Sequence, residues 1–102
     1  MRIGIIGGTE KNIARYEELA RALACEVEFH DGRMAGRGSQ ALEMLVKRCD
    51  VAIVIIQINS HAAARNVLKL SRRYGCRVQH VRRFGLHAFA HVVHESRLAR
   101  AG

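Results

Sequence analysis

Two histidines occupy positions where an imidazole can hold a metal or a cofactor. His30 is followed by an Asp-Gly pair, and His61 follows Ser60 at the start of a helical pattern. A His in the first turn of a helix lies at the positive end of the helix dipole, which favours the neutral imidazole that ligates metals. The sequence therefore predicts His30 and His61 as cofactor or metal ligands.

Glycines, a hydroxyl and guanidinium groups accompany these histidines. The predicted cofactor-binding residues are His61, His30, Gly7, Gly8, Ser60, Arg82 and Arg83. The two glycines lack the spacing of the dinucleotide fingerprint and the Lys of a Walker loop, but a phosphate or carboxylate at the following helix fits them. Arg binds carboxylates through two parallel hydrogen bonds. The structural alternative is a tight turn at the glycines and a simple helix cap at Ser60.

Hydrophobic periodicity predicts four strand–helix pairs that would position these residues. The predicted strands are Arg2–Gly7, Glu26–His30, Val51–Ile58 and Cys76–Arg82. The predicted helices run from Asn12, from Ser39 to about Cys49, from His61 to Tyr74 and from Leu86 to Leu98. The third strand is the most apolar, which is typical of a central strand buried on both faces.

Alternating strands and helices predict a single α/β domain over residues 1–102, with right-handed crossovers and a parallel sheet. The expected strand order is 2-1-3-4, a small doubly wound sheet of the Rossmann or flavodoxin type. Such folds bind ligands at the carboxyl ends of the strands, where the strand order reverses. This rule brings the predicted cofactor-binding residues to one edge.

Composition and the length of the apolar runs indicate where the protein is expected to be located and in what oligomeric state. The longest apolar runs are shorter than the roughly 18 residues of a membrane span. The apolar run after Met1 is also too short for a signal peptide, so we expect a cytoplasmic protein without membrane contact. Three cysteines form no disulfide framework, and reduced thiols are expected. A chain of this size gains from burying more surface, so a two-fold homodimer is expected.

The basic residues are distributed unevenly. Residues 1–50 hold eight basic and eight acidic residues, whereas residues 51–102 hold nine basic residues and Glu95 alone. This imbalance predicts weak, salt-sensitive binding of polyanions. A solvated basic face is the alternative.

A second group of histidines lies on the last predicted helix. His87, His91 and His94 fall at i, i+4 and i+7 beside a core stripe of Leu86, Phe89, Ala90 and Val93. The pair at i, i+4 has the spacing of metal ligands. Without an H-E-x-x-H pattern, a polar stripe facing a partner is the favoured interpretation.

Five short motifs in this order resemble a family of small bacterial proteins known as a domain of unknown function. The motifs are Gly7-Gly8, His30-Asp31-Gly32, Asp50 to Val54, Ser60-His61-Ala62-Ala63 and Gly75-Cys76. The resemblance implies the Rossmann-like fold and points to the region of His30 and His61. It implies no particular reaction.

This chain departs from the family where relatives carry cysteines. Ile55, Ile56 and Ile58 replace Cys before the Ser-His pair, and Leu70 and Ser71 stand in the Cys region of the third helix. Arg83-Phe84-Gly85 also replaces a common Arg-Ser-Ser. Because these cysteines are missing, the resemblance does not extend to a thiolate-rich metal site in this member.

Three classes of function compete. The first is a cofactor-binding or sensor module with haem as the preferred cofactor, held by His61 or His30 and by Arg82 or Arg83 at the propionates. Zinc or another transition metal suits the site less, because too few ligands converge. The second class is an anion binder for a nucleotide or nucleic acid. The third is an enzyme, which is the least favoured because no nucleophile and base are readable. Phosphorelay receivers are excluded, since no carboxylate ends the third strand.

Overall fold

The computed structural model describes residues 1–7, 13–55, 61–82 and 85–101, with the backbone alone at 61–62 and 100–101. The elements in chain order are β1 (Arg2–Ile6), α1 (Ile13–Ala22), β2 (Glu26–His30), α2 (Gly38–Arg48), β3 (Val51–Ile55), α3 (His61–Tyr74), β4 (Arg77–Val81) and α4 (Leu86–Ala101). The strands form one parallel sheet in the order β2-β1-β3-β4. The predicted fold class and strand order are therefore confirmed.

The sheet has a helical layer on each face. On one face, α1 and α4 bury Tyr16, Ala20, Phe89, Val92 and Val93 against the sheet, whereas on the other α2 and α3 bury Leu42, Leu45, Val46, Val67 and Leu70. Alternate residues of β3 enter these two cores, and all five are buried. A strand covered on both faces needs apolar residues at every position, which explains the run Val51–Ile55.

Gly4 in β1 allows α2 to pack closely against the sheet. A Cβ placed there would overlap Leu45 Cδ2 and lie 3.2 Å from Cys49 Sγ. The absence of a side chain at this position therefore sets the depth of α2, and with it the position of the loop that leads into α2.

Several element ends differ from the predicted ones. β1 ends at Ile6 because Gly7 leaves the extended region with a φ of 96°. β4 begins at Arg77 rather than Cys76, and α4 continues to Ala101. Positions 56–58 of the predicted third strand lie outside the described residues.

The predicted core stripe on α4 was wrong in part. Leu86 is 37% exposed and Ala90 is half-buried, whereas Val92, which the stripe left out, is buried. No helix in the described ranges has the length and apolarity needed to cross a membrane.

Candidate functional site

The carboxyl ends of the four strands lie side by side along one edge of the sheet. Ile6 pairs with both His30 and Val54, and Ile55 pairs with Val81. With neighbouring strands about 4.8 Å apart, the edge from His30 to Val81 is about 14 Å wide. The residues that follow each strand therefore share one compact surface, which we call the carboxyl edge.

His30 is buried at this edge and both of its ring nitrogens are engaged. Nδ1 lies 2.9 Å from the backbone N–H of Gly32, which donates to it, and Nε2 lies 2.8 Å from the carbonyl oxygen of Gly38. Since Nδ1 accepts, these partners assign the proton to Nε2, which donates to Gly38. To ligate a metal in this arrangement, the ring would have to give up one of these bonds.

The loop between β2 and α2 is built around this imidazole. Asp31 Oδ1 accepts a hydrogen bond of 2.9 Å from the N–H of Arg33, which closes an Asx turn. Gly32 has a φ of 87°, which an ordinary side chain would resist. A Cβ at Gly38 would overlap the backbone carbonyl of Arg33, so α2 begins in contact with the loop. The His-Asp-Gly motif therefore serves first to fold this loop.

The folded loop presents guanidinium groups at the carboxyl edge. Arg33 and Arg37 lie in the loop and are exposed, and Arg82 is exposed directly after β4. Asp31 is the one carboxylate that the described part of this edge carries, and its Oδ2 lies 3.9 Å from Arg33 Nε. The described surface therefore carries an excess of positive charge.

Three helices direct their N-termini toward this edge. The first turns of α2, α3 and α4 contain no acidic residue. The unpaired N–H groups of a helix N-terminus carry about half a positive charge and attract anions. Because no carboxylate in the first turns of these helices offsets that charge, the electrostatics favour an anionic ligand.

The other predicted site residues are placed as follows. Gly7 lies at the edge, and its N–H donates to the carbonyl of His30 over 2.7 Å, which joins the ends of β1 and β2. His61 begins α3, and its side chain is not described. Gly8, Ser60 and Arg83 lie outside the described residues. The structure thus brings Gly7, His30 and Arg82 to the same edge.

The predicted metal pair of His30 and His61 stays a prediction, because the side chain of His61 lies outside the described part of the chain. No group of three or more His, Cys, Asp or Glu side chains within the described ranges is placed to hold a metal ion. On α4, His91 Nε2 lies 3.0 Å from Glu95 Oε1, an i, i+4 pair that was not predicted although its spacing is readable in the sequence.

The opposite edge, at the amino ends of the strands, holds the sulfur atoms. Cys25, Cys49 and Cys76 are buried free thiols. Burial, together with the Glu28 carboxylate, raises the pKa of Cys49 to about 12. Burial and the nearby Asp50 raise the pKa of Cys76 to about 11. Thiols held in the protonated form are poor nucleophiles.

Comparison with known proteins identifies a matching family and several relatives. Residues 2–96 match a family model described as an uncharacterized protein conserved in bacteria, DUF2325. A UPF0751 protein of Desulfitobacterium hafniense (strain DSM 10664 / DCB-2) is 34% identical over 74 residues, which is 72% of each chain. A second UPF0751 protein, from strain Y51, is 28% identical over 87 residues, or 84% of each chain.

Another relative comes from a different genus. A UPF0751 protein of Bacillus cereus (strain AH820) is 29% identical over 70 residues, 69% of each chain. No solved structure matches the chain. The match to the family model over nearly all of its length shows that this chain belongs to the bacterial DUF2325 family.

Proposed function

We propose that this protein is a small ligand-binding module that holds an organic anion at the carboxyl edge of its sheet. The observation that carries the proposal is the excess of positive charge among the described residues there. Arg33, Arg37 and Arg82 are exposed, and three helix N-termini add partial positive charge without an acidic residue in their first turns. Phosphate and carboxylate groups are the ligands that such an edge recognises best.

His30 acts in this proposal as a positioning residue. Its hydrogen bonds to Gly32 and Gly38 hold the loop that carries Arg33 and Arg37. A bound phosphate would then be met by guanidinium groups whose backbone is already ordered, which lowers the entropic cost of binding. The nucleotide class fits because its phosphates would lie at the helix N-termini, as in other doubly wound folds.

Haem is the second candidate, and the placement of His61 favours it. His61 begins α3 next to the end of β3, the point where strand order reverses. Because both nitrogens of His30 are engaged, His61 is the residue that we propose as axial ligand. Arg82 and Arg83 would then neutralise the propionates, a role that guanidinium groups fill through paired hydrogen bonds.

The test separates the two ligands by spectroscopy and titration. The freshly purified protein is examined for a Soret absorption band and is titrated with hemin, and ATP binding is measured by isothermal titration calorimetry. Arg82→Ala removes a charge-assisted contact worth about 1.5 to 3 kcal/mol, so the affinity for the bound ligand should fall about tenfold or more. His61→Ala should abolish the hemin spectrum if haem is the ligand and leave ATP binding in place.

The matched control is His94→Ala, an exposed imidazole on α4 away from the carboxyl edge. It should leave both measurements unchanged. If Arg82→Ala and His94→Ala bind ATP and hemin as the wild type does, the carboxyl edge is not the site. Hemin binding that survives His61→Ala would remove His61 as axial ligand.

A further inference from the structure

The two helical layers carry very different charge. The helices α2 and α3 hold six basic residues and one acidic residue, whereas α1 and α4 hold four basic and three acidic residues. Most of the excess lies on α3, whose four basic residues have no acidic neighbour in the helix. The excess is therefore a property of one face of the molecule, separate from the carboxyl edge.

Three of these cations form a row on the outside of α3. Arg65, Lys69 and Arg72 are exposed and fall at i, i+4 and i+7, while Val67 and Leu70 on the other side of the helix are buried. At a rise of 1.5 Å per residue, the row extends about 10 Å along the helix axis. Along duplex DNA this length corresponds to about three base pairs.

The charge of this row is not matched by the described part of the chain. Glu43 is the one acidic residue of α2 and α3. Its carboxylate accepts a 2.7 Å hydrogen bond from the hydroxyl of Tyr74 and forms an ion pair with Arg73 at 3.7 Å. Arg65, Lys69 and Arg72 have no carboxylate within ion-pair distance among the described residues, and the sequence between Asp50 and Glu95 contains no acidic residue. Elsewhere the chain does pair its cations, as Arg48 with Glu28 at 2.6 Å shows.

A cleft beside the row supplies neutral hydrogen-bonding groups. The cleft lies between α2 and α3, has a volume of about 200 Å³, and is lined by Gln40, Asn66 and Lys69 and also by Glu43, whose carboxylate is engaged by Tyr74 and Arg73. Side-chain amides next to Lys and Arg are the groups that contact phosphate and sugar oxygens in protein–DNA complexes. The face thus combines a cationic row with uncharged donors.

We propose that this face, formed by Arg65, Lys69 and Arg72 with the adjoining cleft, binds the phosphate backbone of duplex nucleic acid without regard to sequence. A membrane surface is a poorer partner, because binding there needs an exposed apolar helix face. The apolar side of α3 is packed on the sheet, and Leu68, which is 39% exposed, is the large apolar side chain that remains accessible near the row. Arg also binds phosphate through two parallel hydrogen bonds, which favours phosphate over a diffuse negative charge.

The test uses the full chain and a fluorescein-labelled 20-base-pair duplex of mixed sequence, with binding followed by anisotropy from 20 to 200 mM salt. Neutralising three phosphates predicts a slope of log affinity against log salt near −2.7. Lys69→Ala/Arg72→Ala should make this slope shallower by about 1.8 and weaken binding about tenfold or more at low salt.

The charge-matched control is Arg15→Ala/Arg21→Ala, which removes two exposed cations from α1 on the other face. It should bind the duplex with the wild-type slope, and circular dichroism should show both variants folded. Equal losses in the two double variants would reduce the effect to net charge and overturn the proposal. Binding of poly-glutamate or anionic vesicles as tight as that of the duplex would also overturn nucleic acid as the partner.

Discussion

The two edges of the sheet differ in how much of their charge is matched inside the molecule. At the amino edge, Arg2 pairs with Glu26, Arg48 pairs with Glu28, and Asp50 Oδ2 accepts a 2.8 Å hydrogen bond from the N–H of Arg2. At the carboxyl edge, the described cations meet a single carboxylate, Asp31. The comparison teaches that the amino edge pairs several of its cations with its own carboxylates, whereas the described residues of the carboxyl edge keep an excess of positive charge.

The largest expected effect is on stability at alkaline pH, and it comes from the buried thiol of Cys49 at the amino edge. The pKa of Cys49 is raised from an ordinary 9 to about 12, so above pH 9 the unfolded chain loses this proton while the folded chain keeps it. The free energy of unfolding should therefore fall as pH rises from 9 toward 12, by about 1.4 kcal/mol per pH unit for this thiol. Urea denaturation at several alkaline pH values measures the slope.

The variant Cys49→Ser removes the titrating thiol and should make that slope shallower. Cys25→Ser is the comparison at a second buried thiol, whose pKa burial raises and the charge of Arg97 lowers in part. Identical slopes in wild type and Cys49→Ser would show that Cys49 is not held protonated by its surroundings.

A middle-sized effect is expected at the carboxyl edge, where the loop depends on His30. His30→Ala leaves the buried N–H of Gly32 and the carbonyl of Gly38 without their partner, which should cost about 2 to 3 kcal/mol of unfolding free energy. Thermal or urea denaturation measures this cost. His91→Ala, on the exposed side of α4, is the control and should change little. A stability for His30→Ala equal to that of the control would mean that the imidazole does not hold the loop.

The smallest effect is expected for the ion pairs of the amino edge. Glu26→Gln removes the carboxylate that Arg2 contacts on an exposed part of the surface. Solvent and salt screen such pairs, so we expect no resolvable change in unfolding free energy. A clear loss of stability that disappears in high salt would show that this pair matters more than its exposure implies, and would weaken the contrast between the edges.

The fold was readable from the sequence because its strongest signals are local. The run Val51–Ile55, flanked by helical patterns, permits few arrangements other than a central parallel strand, and Gly75 with a φ of 75° ends α3 as predicted. On α4 the pattern was ambiguous, since apolar residues are spread around the helix. Leu86 was therefore assigned to the core instead of Val92.

The site was readable only in part. The rule for doubly wound folds placed His30 correctly at the carboxyl edge. Its two hydrogen bonds, however, depend on a loop that folds back and brings Gly38, eight residues later in the chain, next to the imidazole. No periodic pattern encodes such a contact. The glycines at 32 and 38 were the available signal, because each stands where a side chain would strain or block the loop. The uneven charge, by contrast, was visible from simple counting.

The edge strand β4 has a consequence for self-assembly. Its outer side is open to another strand, and such edges invite chains to add to one another into aggregates. Arg77 and His80 are exposed on β4, Arg82 follows it, and no acidic residue lies near them in sequence. Two copies that met edge to edge along β4 would bring like charges together, which disfavours growth of the sheet by addition of a second copy at this edge. We therefore expect the two-fold dimer to form through a different surface.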